Sequence, residues 1–112
     1  IPLTKETSCL VDKIFIDRFK KPIYLLNTSR GKCVKTKDLV IALKKGKVRG
    51  VGLDVLEHEN NSFEELSIQG LSEELLYLTT SKNSILTPHI AGWTNESNIK
   101  IAEILFKQII SC

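Results

Sequence analysis

Four residues of this chain carry reactive chemistry: Arg30, Asp54, Glu59 and His89. An arginine fork grips a carboxylate through two parallel hydrogen bonds. A histidine beside a glutamate has its charged form stabilised, so it can exchange a proton with a hydroxyl near neutral pH. That is the equipment for a 2-hydroxy acid. Taken singly, each residue has a plainer reading. Arg30 can pair a surface carboxylate, Asp54 can cap a turn, Glu59 sits in an acidic stretch where a glutamate is solvated, and His89 can be a structural histidine. What matters is whether the chain brings them to one place.

The elements that must do so are legible. Ser84 to Trp93 reads SILTPHIAGW, in which Ile85 to Thr87 is a short apolar strand stopped by Pro88. Proline removes a ladder donor, so His89 is delivered at a strand's carboxyl end. Ala91 and Gly92 leave room for close approach to the backbone. Ile23 to Leu26 is an apolar run too short for a helix and bounded by Pro22 and Asn27, which predicts a strand buried on both faces. Asn27-Thr28-Ser29-Arg30-Gly31 is its exit loop. Val48 to Val55 is a further strand, whose Gly50 and Gly52 imply a tight helix or ligand contact. This glycine pair is not the dinucleotide fingerprint, which needs a third glycine opening a helix.

Between the strands lie helices. Thr4 can cap one beginning at Lys5, and Asp12 one running to about Phe19, with Ile14, Phe15 and Phe19 as its apolar face. Thr36 can cap Lys37 to Lys45, which Gly46 ends. From Glu57 to Asn83 the chain is polar and acidic, with Ser62 to Glu65 reading as a capping box and Ser72 as another cap, so one or two short surface helices are expected. Asn95 to Ile110 is an amphipathic helix with Ile99, Ala102, Phe106 and Ile109 on one face. Strands alternating with helices predict a parallel, doubly wound α/β sheet. The carboxyl ends of its strands share one edge, where ligands bind. Arg30, Asp54, Glu59 and His89 all fall there.

Composition narrows the class. The 112 residues are 42% hydrophobic and 26% charged, which is one ordinary globular domain. There is no methionine, and Ile1 opens in the middle of a pattern, so a piece of a longer chain is expected. No apolar run approaches the roughly 20 residues that span a bilayer, and no leader is visible, so a cytoplasmic protein without a membrane partner is expected. The net charge of +3 is spread over lysines. The cluster Lys44, Lys45, Lys47 and Arg49 has no interleaved aromatics and reads as a solvated helix end rather than a nucleic-acid surface. Cys9, Cys33 and Cys112 are odd in number without CxxC spacing, which argues against both a disulfide framework and a zinc site, so no metal is expected.

Three ordered motifs carry a resemblance. NTSRG at Asn27 to Gly31, GVGLDVLEHE at Gly50 to Glu59 and LTPHIAG at Leu86 to Gly92, with the lead-in IPLTKET, closely resemble the D-isomer-specific 2-hydroxyacid dehydrogenases. The resemblance implies a Rossmann-type three-layer αβα fold and places residues 1–112 in the C-terminal portion of an NAD-binding domain. By that likeness Arg30 binds the substrate carboxylate and helps orient the nicotinamide, His89 is the general acid/base and Glu59 its orienting partner. Asp54 would lie at the nicotinamide, while Ile1, Thr28, Ser29 and Gly92 would line the cofactor cleft. The implied cofactor is NAD, the partner a small 2-hydroxy acid, and the assembly a homodimer. The HIAGWT run and the long acidic segment are most similar to the D-3-phosphoglycerate dehydrogenases of serine synthesis. The chain departs from the family pattern at Lys5 and Asn60, where proline is frequent, and it has no GxGxxG loop. The same fold and triad also occur in corepressors that sense the nicotinamide cofactor without turnover. A sheet cut between strands would in addition leave an edge and an apolar surface inviting self-association.

Overall fold

The computed structural model describes residues 1–57 and 72–111. The order is α1 (Lys13–Asp17), β1 (Ile23–Asn27), a 3-10 turn (Gly31–Cys33), α2 (Thr36–Lys44), β2 (Val48–Leu53), α3 (Glu73–Thr80), β3 (Ser84–Leu86) and α4 (Asn95–Ile110). The strands form one parallel sheet in the order β1-β2-β3. Asn27 stands opposite Leu53, and Leu53 opposite Leu86. The three carboxyl ends are therefore level, as the predicted α/β class requires. Glu59, the box at Ser62 to Glu65, and Cys112 lie outside the described residues.

One face of the sheet is packed. Leu25, Val51 and Leu53 meet Ile16 of α1, Leu39, Val40 and Leu43 of α2, and Leu78 of α3 in a single core. Fully burying an aliphatic side chain of this kind contributes roughly 1.5–3 kcal/mol. The other face is bare among the described residues: Tyr24, Leu26 and Ile85 are 72%, 80% and 71% exposed. This corrects the expectation that β1 is buried on both faces. It alternates instead, because the described helices that pack on the sheet cover one side only.

The glycines of β2 have a correspondingly different cause. A Cβ on Gly52 would sit 2.7 Å from Leu26 Cδ2, and one on Gly50 would sit 3.1 Å from the Tyr24 ring. Among the described residues the close neighbour is thus an adjacent strand's side chain lying across the bare face, rather than a helix. β2 leaves the ladder at Leu53, two residues before the predicted Val55, and β3 pairs over 84–86 rather than 85–87.

Helix ends follow local chemistry. Asp12 Oδ1 accepts from Phe15 N at 2.8 Å, as predicted, but α1 has only about one turn. It buries Ile16, and Ile14 is left exposed, so the expected apolar face is rotated. Residues 5–9 form turns rather than the expected helix, since the chain must run alongside the 3-10 segment: Cys9 N donates to Lys32 O and Val11 N to Cys33 O. Cys9 and Cys33 are free thiols. Thr36 is the first residue of α2 and not its cap. Its N–H is taken by Glu57 Oε2 at 2.8 Å, which supplies negative charge to the helix's positive end from the exit of β2. Gly46 ends α2 with φ +71°, as predicted for a residue just past a helix. Ser72 caps α3 and Thr94 caps α4 through side-chain oxygens. α4 has the predicted bounds but none of its residues is buried. No helix among the described residues is long and apolar enough to cross a membrane.

Candidate functional site

The level strand ends put three loops side by side. The first begins at Asn27, whose side chain lies on the packed face and is buried. A buried amide must find partners, and this one finds them all in its own exit loop. Asn27 Oδ1 accepts from Ser29 N and Ser29 Oγ, both at 3.1 Å, and Nδ2 donates to Arg30 O at 3.0 Å. Such Asx turns are how asparagine shapes a chain reversal. Arg30 itself is exposed, and its Nη1 donates to Ser29 O at 2.7 Å. Gly31 follows because nothing larger fits: a Cβ there would lie 1.7 Å from Leu56 O, on the exit of β2.

The second loop begins at Asp54, which is buried although charged. Its N–H donates to Asn27 O at 3.0 Å, and its C=O accepts from His89 N at 2.9 Å. The carboxylate holds the third loop: Oδ1 accepts from Thr87 Oγ1 at 2.6 Å and Ile90 N at 2.9 Å, and Oδ2 accepts from Ala91 N at 2.9 Å. Burial by itself raises its pKa. The bonds from Thr87, Ala91 and Ile90, with the charge of His89, outweigh that and leave the pKa below the ordinary carboxylate value.

His89 stands on the third loop, exposed, with φ +56°. A non-glycine residue there is strained by roughly 1–3 kcal/mol and persists where its surroundings over-determine it. Here the surroundings are the bond from His89 N to Asp54 O and the carboxylate's grip on Ile90 and Ala91.

The structure thus brings Arg30, Asp54 and His89 to one edge, with Thr28 and Ser29 in the arginine loop and Gly92 just past the histidine loop. Ile1 is exposed at the start of the chain. A Cβ on Gly92 would meet nothing within 4 Å, so the backbone there is open. The sequence reading missed Asn27, Thr87, Gly31 and Glu57, whose side chains or lack of one hold the loops. The asparagine ending an apolar strand before Thr-Ser was the available signal; Thr87 carried none.

Known proteins share this fold. Residues 1–91 match the D-isomer specific 2-hydroxyacid dehydrogenase, NAD binding domain. The chain belongs to that family. It is 38% identical to a glyoxylate reductase of Thermofilum pendens over 99% of its own length and 30% of the relative's. Its fold superposes on a D-lactate dehydrogenase with NAD+ from Lactobacillus jensenii at TM-score 0.78 and 31% identity, covering 98% of this chain and 34% of that one. A D-lactate dehydrogenase from Aquifex aeolicus complexed with NAD and lactic acid gives TM-score 0.74 and 36% identity, covering 99% and 34%. The chain spans about a third of the length of these relatives. The fold is the parallel sheet with helices of a Rossmann-type NAD-binding domain.

Proposed function

We propose that the protein carrying this chain is an NAD-dependent D-2-hydroxyacid dehydrogenase, and that residues 1–112 are the C-terminal portion of its NAD-binding domain. The observation that carries this reading is the placing of an exposed arginine and an exposed histidine on the loops that leave β1 and β3 at level strand ends, with the exit of β2 between them and bonded to both through Asn27 and Asp54. The Arg30 guanidinium receives the substrate carboxylate through its fork. The His89 imidazole removes the hydroxyl proton in the oxidative direction and returns it in the reductive one. Glu59 orients His89, and Asp54 holds the histidine loop against the nicotinamide position. Thr28, Ser29 and Gly92, with Ile1, line the cofactor cleft. NAD, when bound, supplies the hydride acceptor.

The substrate is a small 2-keto acid and its 2-hydroxy partner. Similarity to a glyoxylate reductase and to D-lactate dehydrogenases supports glyoxylate or pyruvate as first candidates. D-3-phosphoglycerate, suggested by HIAGWT and the acidic segment, is a narrower member of the same class. A homodimer in the cytoplasm completes the reading.

The test follows NADH absorbance with the complete protein on glyoxylate, pyruvate and 3-phosphohydroxypyruvate, beside a His89→Ala control. Turnover lost in the control is the expected result, and the preferred keto acid names the substrate. NADH binding without turnover on any keto acid would replace the dehydrogenase by a cofactor-sensing relative of the corepressor kind.

A further inference from the structure

Asn27 makes three side-chain hydrogen bonds, and all of them go to the arginine loop. A buried asparagine kept only for packing would need satisfied partners, but it would not need every partner within three residues on the reactive side. The bonds control Arg30 at both ends. Its backbone carbonyl is shared between Asn27 Nδ2 at 3.0 Å and Cys33 N at 3.1 Å, which fixes the peptide leaving Arg30. Its guanidinium rests on Ser29 O, and Ser29 is itself held by Asn27 through both N–H and Oγ. The main-chain carbonyl of Asn27 also accepts from Asp54 N, and the Asp54 carbonyl accepts from His89 N. One asparagine thus joins the base of the arginine loop to the base of the histidine loop.

We infer that Asn27 is a positioning residue for substrate binding: it sets the reach and direction of the Arg30 guanidinium relative to His89, and thereby the affinity for the keto acid's carboxylate. This rests on the dehydrogenase reading above. The residue touches neither substrate nor cofactor and acts through Arg30.

Asn27→Asp separates this role from packing. It preserves size and the acceptor for Ser29, but turns the donor facing Arg30 O into an acceptor. Asn27→Ser, smaller and still able to donate, is a second variant should the first fail to fold. In the complete protein, KM for the preferred keto acid is expected to rise roughly tenfold in Asn27→Asp, while the NADH dissociation constant stays within about twofold. Combined with Arg30→Ala, Asn27→Asp is expected to add nothing further to KM, because the group it positions is gone.

An equal KM effect with and without Arg30 would overturn the positioning role and leave Asn27 as packing. An unchanged KM in folded Asn27→Asp would do the same. Absence of turnover by the unsubstituted protein on every keto acid would overturn the dehydrogenase reading and this inference together, and so stands apart from the other outcomes.

Discussion

Thr87 Oγ1 donates to Asp54 Oδ1 at 2.6 Å, so the last residue before Pro88 is tied to the first residue after β2. Two strand exits distant in sequence become one rigid corner. The same carboxylate carries the Ile90 and Ala91 amides, and the conformation of the histidine loop depends on its charge.

Protonating that carboxylate should therefore loosen the loop. The folded-state pKa of Asp54 is depressed, so its contribution is complete above the ordinary carboxylate value and is lost as pH falls through the lowered one. Hydrogen exchange read by NMR is expected to show Ile90 and Ala91 amides protected near neutrality, with protection falling at acid pH before that of β2. In Asp54→Asn one of the two amides should exchange fast at every pH. Equal protection in both proteins would show that the carboxylate does not hold the loop.

Gly31→Ala puts a methyl group 1.7 Å from Leu56 O, a backbone atom that cannot rotate away. Overpacking of this kind costs about 1–3 kcal/mol or more. Gly92→Ala meets open space and should change stability by less than about 0.5 kcal/mol. Urea unfolding of the two variants side by side checks the contrast, which fails if they unfold alike.

Leu39 is completely buried between the sheet and the helices. Leu39→Ala is expected to lose about 2–5 kcal/mol, with the cavity adding to the lost transfer energy. A urea midpoint shifted by the equivalent of under 1 kcal/mol would mean that the core closes over the gap.

Tyr24, Leu26 and Ile85 offer an exposed apolar strip across β1, β2 and β3, and α4 adds Ile99, Leu105, Phe106 and Ile109. The isolated 112-residue chain is expected to associate with itself as concentration rises, and Leu26→Lys or Ile85→Lys to weaken that association. Analytical ultracentrifugation giving a monomer at all concentrations would refute this.

Arg30→Lys keeps the charge but loses the planar fork. In the complete protein KM for the keto acid should rise on the order of 10–100-fold with NADH binding little changed. Steady-state kinetics decide it, and an unchanged KM would remove Arg30 from carboxylate binding.

The parallel sheet and the three loops could be read from alternating apolar runs and helical periods, because those patterns reflect which surface is buried. Facing was harder to read. The run Ile23 to Leu26 is uniformly apolar, yet Tyr24 and Leu26 lie open, because the layer that would cover them is not among the helices described here. Caps supplied from a distance were not legible either: Glu57 on the Thr36 amide and Asp38 on the Lys13 amide join residues 21 and 25 positions apart. Of the candidate site, the side chains proposed to react were visible by type. Their supports were not, since Asn27 reads only as a loop residue until burial forces its amide to find partners. The role proposed for Glu59 lies outside the described residues.

The level carboxyl ends restrict how this edge can change over time. Each candidate site residue sits at a fixed count from a ladder partner: Arg30 three after Asn27, Asp54 one after Leu53, His89 three after Leu86. Deleting a residue from the Asn27 to Arg30 or Leu86 to His89 spans would break the hydrogen bonds that Asn27 and Asp54 make at fixed positions in these loops. Exchanging side chains at this edge therefore leaves its geometry in place, whereas an insertion or deletion is expected to be borne only by connections further from it.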